Sequence, residues 1–446
     1  MESRKISEVV LLGDSLMDRG AMYEKKLFGF IPMRWITGLQ GKTGGDSFTN
    51  GFTWSDYFIA ALASEFTIKK LNKEKLFDAS DIADAIINND THVKSVIGNY
   101  YNLKNHASVD FLGKSFIQDY TEGGLTAHDY SWTPSCSISR FFTRLILSTL
   151  ASKRKELLQY NRKYNISSDQ KAKTLIIEWS GANDLITANA KPSKYEVDQA
   201  IRARVENIHQ LIENGYYNFV LFNQPDLALT PRFQAKNAEE RAEATRWCHY
   251  FNRRLAIACA NIRKDHSDCV IEIFDVAAQF RNLYHNPEKY GLDRHKLGMP
   301  FTKSKDFVIK KDGTSPANGY MFWDDVHPTA DAHARLGEEF FAIFKHIFDF
   351  VEPSAGRQVV YTDDLGMSYP HKKPKATAVR RCRVCSFFSD QTDSAENENR
   401  FRIGKLDKGK EKEIVNDRYF SENEEIEESE ENEDMYVNQE ENRLRY

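Results

Sequence analysis

Short apolar runs rich in β-branched residues alternate with longer helical patterns, and this alternation limits the fold more than any other feature of the sequence. The runs cover residues 9–13, 174–178, 219–223 and 270–274. Strands of this composition are typical of parallel sheets, because helices cover both faces of such a sheet. The pattern therefore predicts an α/β fold with a parallel sheet between helices.

One crossover helix between two of these runs can be identified from its apolar spacing. Its apolar residues recur at intervals of four and three: Val197, Ile201, Val205, Ile208 and Ile212. Gly215 follows as a C-terminal cap. Further helices are predicted over 140–164, 238–263 and 330–348, and residues 66–114 are predicted to be an insertion with mixed helical signals.

The composition changes after about residue 353. A basic stretch over 371–383 precedes a Ser-, Asn- and Glu-rich segment, and residues 411–446 contain 14 Asp and Glu against 4 Lys and Arg. Low apolar content and a block of like charge predict disorder. We therefore expect one folded domain over residues 1–352, followed over 353–446 by a basic linker and a disordered acidic tail.

We expect neither a signal for general secretion nor a membrane-spanning helix. The N-terminal residues are charged, and no run approaches the roughly 20 apolar residues of a spanning helix. Six cysteines in 446 residues indicate a reducing compartment. Cys382 and Cys385 have the spacing of half a zinc site, but only His371 lies nearby and four ligands are required, so no metal site is predicted.

A serine at the end of the first predicted strand is a candidate nucleophile. The run from Val9 leads into Gly13-Asp14-Ser15-Leu16, which places Ser15 at the carboxyl end of a strand, where open α/β sheets bind their ligands. A lone Gly-Asp-Ser is weak evidence, since a second copy occurs at 45–47. A serine hydroxyl also needs a base to take its proton.

The candidate base lies near the other end of the predicted domain. His327 stands just before the final predicted helix, within Asp324-Asp325-Val326-His327-Pro328. A carboxylate can orient the imidazole ring for proton transfer. Asp324 and Asp325 both compete for this role.

Two glycine-containing segments can supply hydrogen-bond donors for the charge that develops on an ester carbonyl oxygen. They are Glu122-Gly123-Gly124-Leu125-Thr126 and Ser180-Gly181-Ala182-Asn183-Asp184, the second of which follows a predicted strand. Considered alone, such residues are most often turn formers.

In this order, the four segments resemble those of the GDSL lipase and acylhydrolase family, also called SGNH hydrolases. The resemblance runs from Val9 to about Phe348 and rests on Gly-Asp-Ser-Leu at 13–16, Gly-Gly-x-Thr at 123–126, Gly-Ala-Asn-Asp at 181–184 and Asp-x-x-His at 324–327. Further segments resemble the branch of bacterial secreted phospholipases, haemolysins and glycerophospholipid acyltransferases. They are Phe48-Thr49-Asn50-Gly51 with Trp54, Asn223-Gln224-Pro225-Asp226-Leu227, Asn286-Pro287-Glu288-Lys289-Tyr290-Gly291 and Phe322-Trp323-Asp324.

The resemblance implies a flavodoxin-like three-layer α/β/α sandwich and a catalytic triad. In that triad Ser15 is the nucleophile, His327 is the general base and Asp324 orients the imidazole. The implied oxyanion hole consists of Ser15, Gly124 and Asn183. The choice of Gly124 over its neighbour rests on counting back from Thr126 in the family's spacing.

Three further residues in the resembling segments are predicted to line the substrate cleft: Asn50, Trp54 and Trp323. Large aromatic side chains belong to a plain hydrophobic core just as often, so that interpretation stands beside the first.

The resemblance implies a serine ester hydrolase that cleaves lipid esters, as a phospholipase A or lysophospholipase, with acyl transfer to an alcohol as a second outcome. Two alternatives are an esterase acting on small or carbohydrate esters and a non-catalytic effector or binding module. No metal or organic cofactor is required and no nucleic-acid partner is expected. The expected partners are the ester substrate and a membrane surface that the protein contacts peripherally.

The acidic tail has two interpretations. A block of like charge can simply keep a chain soluble. Glu424-Glu425-Ile426-Glu427-Glu428 also resembles the glutamate-rich C-terminal signals of bacterial type IV secretion effectors. On that interpretation the protein is cytoplasmic at synthesis, and its tail engages secretion machinery that translocates it into a host cell.

Overall fold

A computed structural model describes residues 4–27, 29–37, 39, 46–74, 100–103, 107–133, 137–189 and 191–353. Most of the predicted insertion and residues 354–446 lie outside the described residues, and so do Cys382 and Cys385. The predicted linker, tail and domain boundary therefore stay predictions.

The described strands, in chain order, are β1 (Arg4–Ile6), β2 (Glu8–Gly13), β3 (Lys26–Leu27), β4 (Ile31–Pro32), β5 (Tyr101–Asn102), β6 (Ser108–Phe111), β7 (Lys114–Asp119), β8 (Thr174–Trp179), β9 (Asn218–Phe222), β10 (Val270–Phe274) and β11 (Phe348–Phe350). The central sheet has the order β10-β9-β8-β2-β7-β6-β5. Neighbouring strands from β10 to β7 pair in parallel, whereas β6 pairs antiparallel with both β7 and β5. Two smaller pairs, β1 with β11 and β3 with β4, lie apart from this sheet.

The described α-helices are α1 (Ala21–Glu24), α2 (Met33–Ile36), α3 (Trp54–Glu74), α4 (Ile138–Ile146), α5 (Leu150–Lys163), α6 (Ser168–Ala172), α7 (Ala182–Ile186), α8 (Lys194–Glu213), α9 (Pro231–Gln234), α10 (Ala238–Asp265), α11 (Val276–His285) and α12 (Ala330–Phe344). Within these described helices, none is both long and apolar enough to cross a membrane.

Two hydrophobic clusters cover the two faces of the central sheet. Alternate residues of a strand point to opposite faces, so Val9 and Leu11 join one cluster while Val10 and Leu12 join the other. The first cluster includes residues of α3, α11 and α12, and the second includes residues of α5, α8 and α10. The predicted three-layer α/β fold is therefore confirmed.

A buried ion pair connects the sheet to the helix layer behind the carboxyl end of β8. Arg204 of α8 donates from Nε to Glu178 at 2.7 Å and from Nη2 to the carbonyl of Phe222 at 2.9 Å. Both charged side chains are almost fully buried, and burial raises the pKa of Glu178. Because a buried charge without its partner costs several kcal/mol, removing either residue would destabilise this end of the sheet.

Element boundaries differ from the predictions where local hydrogen bonds compete with the helical pattern. The helix predicted over 140–164 is two helices, because the Thr149 hydroxyl accepts from the backbone N–H of Ser152 and begins α5. The final helix ends at Phe344 because residues 348–350 pair with β1 instead. The crossover helix is confirmed as α8, followed by Gly215 with φ +92°.

Candidate active site

The predicted site segments follow three neighbouring strands of the central sheet. Ser15 comes after β2, Gly124 after β7 and Asn183 after β8. The backbone N–H of Glu122 donates to the carbonyl of Gly13 at 3.0 Å, and that of Asp14 donates to Trp179 at 3.2 Å. These bonds join the three strand ends, so the segments meet at one edge of the sheet, as is usual for parallel α/β folds.

Ser15 and His327 are separated by 312 positions in the chain, yet their side chains are in hydrogen-bond contact. Ser15 Oγ lies 2.7 Å from Nε2 of His327. The serine is 7% exposed, which leaves it mostly shielded from bulk water. This separation is within the range that proton transfer from a hydroxyl to an imidazole requires.

The other nitrogen of the imidazole faces Asp324. Nδ1 of His327 lies 2.9 and 2.8 Å from the two carboxylate oxygens, and Oδ1 accepts the backbone N–H groups of His327 and Val326 at 2.8 and 2.9 Å. Burial acts to raise the pKa of Asp324. The nearby imidazole and these hydrogen bonds outweigh that effect and lower its pKa to about 2.

The competing carboxylate points elsewhere. Asp325 Oδ1 accepts from Nζ of Lys303 at 2.5 Å in an exposed ion pair. Among the two adjacent aspartates, the structure therefore brings Asp324 to the imidazole, as the family spacing implies.

The three predicted oxyanion donors lie in segments whose strand ends are joined at one edge of the sheet. Gly124 has φ +81°, a conformation that favours glycine, and its backbone N–H has no partner in the described part of the chain. The N–H of Ser15 is likewise without a partner there. Asn183 donates one amide proton to the carbonyl of Leu125 at 3.1 Å, and its Oδ1 accepts from Thr187.

Asp18 links the segment around Ser15 to the glycine loop at 122–126, and it belongs to none of the sequence motifs described above. Its buried carboxylate accepts from Gly20, Ala21 and Met22 and also from the N–H of Gly123, at 2.7 Å. Burial raises its pKa to about 6. Asp18 thereby fixes the residue that precedes Gly124, and its position three residues after the candidate nucleophile is the only sequence signal for it.

A second carboxylate fixes the same loop from its other side. Glu122 accepts from Nζ of Lys153 at 2.9 Å and from the Ser148 hydroxyl at 2.7 Å, and it also pairs with Lys25. Burial acts to raise the pKa of Glu122, but the two lysines outweigh that effect and lower it. The glycine loop is therefore held between two buried acidic side chains, Asp18 and Glu122.

Phe48 is a further site residue without an assigned role at the sequence level. Its ring stacks on the imidazole of His327, with centroids 5.0 Å apart and planes inclined by 29°. The same ring packs so closely on Gly123 that a Cβ at that position would lie 2.3 Å from it. Phe48 thus supports both the candidate base and the glycine loop.

The two tryptophans of the predicted cleft set follow the alternative interpretation, in which large aromatic side chains belong to the hydrophobic core. Trp54 is fully buried between Trp179, Phe222 and Phe340, because the first turn of α3 enters the core. Trp323 is 2% exposed in a separate aromatic cluster that contains Phe301. Both tryptophans therefore pack in the protein interior.

Asn50 positions the loop that carries the imidazole. Its Oδ1 accepts from the N–H of Ala330, the first residue of α12, at 2.8 Å, and its Nδ2 donates to Ser315 at 2.8 Å. The neighbouring Thr49 hydroxyl donates to the carbonyl of Pro328 at 3.0 Å. These bonds attach the 48–51 segment to the start of α12, next to His327.

The sequence is similar to one family model and to several known proteins. The family model described as GDSL-like Lipase/Acylhydrolase matches residues 9–340. The chain is 22% identical over 388 residues to the phosphatidylcholine-sterol acyltransferase of Aeromonas hydrophila, a match that covers 77% of this chain and 92% of that enzyme.

Two other relatives are matched over a smaller share of their length. The secreted effector protein SseJ of Salmonella typhimurium is 22% identical over 74% of this chain and 61% of its own length. The thermolabile hemolysin of Vibrio parahaemolyticus is 21% identical over 76% of this chain and 64% of its own length. The chain therefore spans less than two thirds of each of these two relatives.

Proposed function

The chain belongs to the GDSL-like lipase/acylhydrolase family, and from this premise we propose that it is a serine ester hydrolase with Ser15, His327 and Asp324 as its triad. The contact of 2.7 Å between Ser15 Oγ and His327 Nε2, with Asp324 on the far side of the ring, carries this proposal. A nucleophile, a base and an orienting carboxylate in this order are the parts that acyl transfer by serine requires.

In the proposed reaction, Ser15 Oγ attacks the ester carbonyl carbon while His327 Nε2 takes the hydroxyl proton. The backbone N–H groups of Ser15 and Gly124 and the side-chain amide of Asn183 donate to the oxyanion. When the intermediate collapses, His327 gives the proton to the leaving alcohol and the acyl group stays on Ser15. Water then attacks the acyl-enzyme through the same steps, and the acid is released.

We assign the substrate to the class of lipid esters, with a phospholipase A or lysophospholipase activity. The support comes from the relatives, which include a named phosphatidylcholine-sterol acyltransferase and a hemolysin. If an alcohol replaces water in the second step, the same residues transfer the acyl group, so acyltransferase activity is included in the proposal.

A panel of esters with mass-spectrometric identification of the products tests the substrate class. We expect release of fatty acid from phosphatidylcholine or lysophosphatidylcholine at a kcat/KM at least about tenfold above that for short soluble esters. Adding a sterol would reveal acyl transfer as a steryl ester. Faster cleavage of small or acetylated carbohydrate esters than of any lipid would replace the lipid assignment with the esterase alternative.

The route to the substrate is a separate proposal. We propose that the 424–428 glutamate cluster is part of a type IV secretion signal that directs the protein into a host cell. The glutamate-rich composition of the cluster supports the signal, and the similarity to a named secreted effector supports export in general. A translocation reporter tests this assignment. If a chain lacking residues 411–446 were delivered as efficiently as the full-length protein, the assignment would be contradicted.

A further inference from the structure

Helix α4 presents its apolar side to solvent and its cationic side to the protein, which is the reverse of the usual arrangement. Ile138, Phe142 and Leu145, at intervals of four and three, form one exposed stripe, with Ile138 76% and Phe142 57% exposed. Burying apolar surface is the main favourable term in folding, so an exposed stripe of this kind requires a reason.

The inward side of this helix is fixed by a buried arginine. Arg144 donates from Nε to the carbonyl of Ala188 at 2.9 Å, from Nη1 to Thr133 at 2.9 Å and from Nη2 to Asn189 Oδ1 at 2.6 Å. These bonds set the rotation of the helix about its axis. The apolar stripe therefore faces outward because the arginine is anchored inward.

A second group of exposed apolar side chains lies on the β3–β4 hairpin and α2. Phe30, Trp35 and Ile36 are each more than half exposed, with Trp35 at 61%. Met33 of α2 belongs to a small buried cluster against which Ile146 of α4 packs. The two groups of exposed residues are therefore attached to one shared cluster, and together we call them the apolar face.

The apolar face borders the candidate active site. Phe48, which stacks on His327, packs against the same small cluster as Ile146. Leu147, which caps α4, lies so close to Gly124 that a Cβ on the glycine would be 2.7 Å from its side chain. The elements that carry the face thus contact both the candidate base and the proposed oxyanion donor.

The charged residues on these elements are all basic. Segments 25–37 and 137–149 contain Lys25, Lys26, Arg34, Arg140 and Arg144 and no Asp or Glu. Lys26 is exposed, while Arg34 and Arg140 are partly exposed. Exposed Trp, Phe, Ile and Leu beside Lys and Arg is the composition of surfaces that lie in the interface of a bilayer, where the cations meet lipid phosphates.

We propose that the apolar face is the surface on which this protein docks onto phospholipid membranes, with its side chains inserted among the lipid head groups and upper acyl chains. The location of the docking surface follows from the position of the apolar face beside the candidate active site. The choice of phospholipid as the bound lipid rests on the proposed lipid substrate. Docking there brings the ester bond of a membrane lipid to the triad without complete removal of the lipid from the bilayer. Burial of apolar area together with attraction between the cations and lipid phosphates would supply the affinity.

The test measures membrane binding separately from catalysis. Full-length Ser15→Ala protein is sedimented with vesicles of phosphatidylcholine and phosphatidylglycerol, so that no lipid is consumed. In this background we expect Ile138→Glu and Phe142→Glu each to lower vesicle affinity by at least about tenfold, because each puts a charge into the apolar interface. Ile257→Glu on α10 is the matched control, because Ile257 is 50% exposed, and it should bind as the parent does.

The same substitutions in the active protein complete the test. Ile138→Glu and Phe142→Glu should lose hydrolysis of vesicle lipid while keeping hydrolysis of a short soluble ester within about twofold, as expected for surface changes outside the reacting groups. Equal vesicle affinity for the Ile138→Glu and Ile257→Glu proteins would overturn the proposal. So would a change from dimer to monomer caused by Ile138→Glu with unaltered vesicle binding, since the face would then be a contact between copies. If vesicle binding depends on the apolar face but no ester is hydrolysed, the docking proposal is supported and the proposed enzymatic function is contradicted.

Discussion

Replacement of Ser15 by alanine should lower kcat/KM for ester hydrolysis by at least about 10⁴-fold, because the proposed nucleophile is removed and only binding and oxyanion stabilisation remain. The fold should be retained. The side chain of Ser15 makes a hydrogen bond to His327 and no other within the described residues, so its loss leaves no core group unpaired. Hydrolysis by purified protein and the midpoint of thermal unfolding are the two measurements.

The second Gly-Asp-Ser segment provides a matched control for this variant. Ser47 is buried and donates from Oγ to the carbonyl of Gly51 at 3.0 Å, a bond within its own loop. Ser47→Ala should therefore retain activity within about tenfold, since its expected cost is that of one local hydrogen bond. If the Ser15→Ala protein were as active as the Ser47→Ala protein, Ser15 would not be the nucleophile.

Replacement of Asp324 by asparagine should lower kcat by about 10³- to 10⁴-fold with little change in KM. The amide keeps an oxygen that can accept the backbone N–H groups of Val326 and His327, so the loop retains its shape. The negative charge that stabilises the imidazolium in the transition state is lost. The amide also favours the wrong imidazole tautomer, because its NH₂ group can donate to Nδ1.

The pKa of Asp324 sets the charge that this variant removes. A pKa of about 2 keeps Asp324 ionised throughout the neutral range, so titration of this carboxylate should cause no fall in the kcat of the parent protein between about pH 5 and 8. Asp325→Asn is the control, because that carboxylate belongs to an exposed ion pair of small expected energy. A similar loss of activity in both variants would assign the effect to the loop and not to the carboxylate beside the imidazole.

The parallel part of the sheet and the site segments could be predicted from the sequence because both depend on local patterns. Strands such as β8 are buried at every residue, so their sequence is mostly apolar, and the buried Glu178 of β8 is paired with Arg204. The segments around Ser15, Asn183 and His327 are short and occur in the family's order. The topology of a parallel sheet then brings the strand ends before Ser15 and Asn183 to one edge, and the loop before α12 adds His327.

The remaining differences come from tertiary contacts that leave little trace in the sequence. β5 has two residues and β6 has four, and both pair antiparallel to a neighbouring strand, so neither has a long apolar run. Trp54 is a core residue because the start of α3 packs between the sheet and α12. This packing cannot be predicted from the residue type, since a tryptophan ring is found both in cores and in clefts. Asp18 was missed because its partner Gly123 lies 105 positions away.

Covalent labelling tests the central proposal most directly. The full-length protein is treated with a fluorophosphonate, which reacts with activated serine hydroxyls, and the adduct is located by peptide mass spectrometry. We expect one adduct, on Ser15, whose formation slows by orders of magnitude in the Asp324→Asn protein because the base is less effective. An adduct on a different serine, or none on native protein that binds lipid, would contradict it.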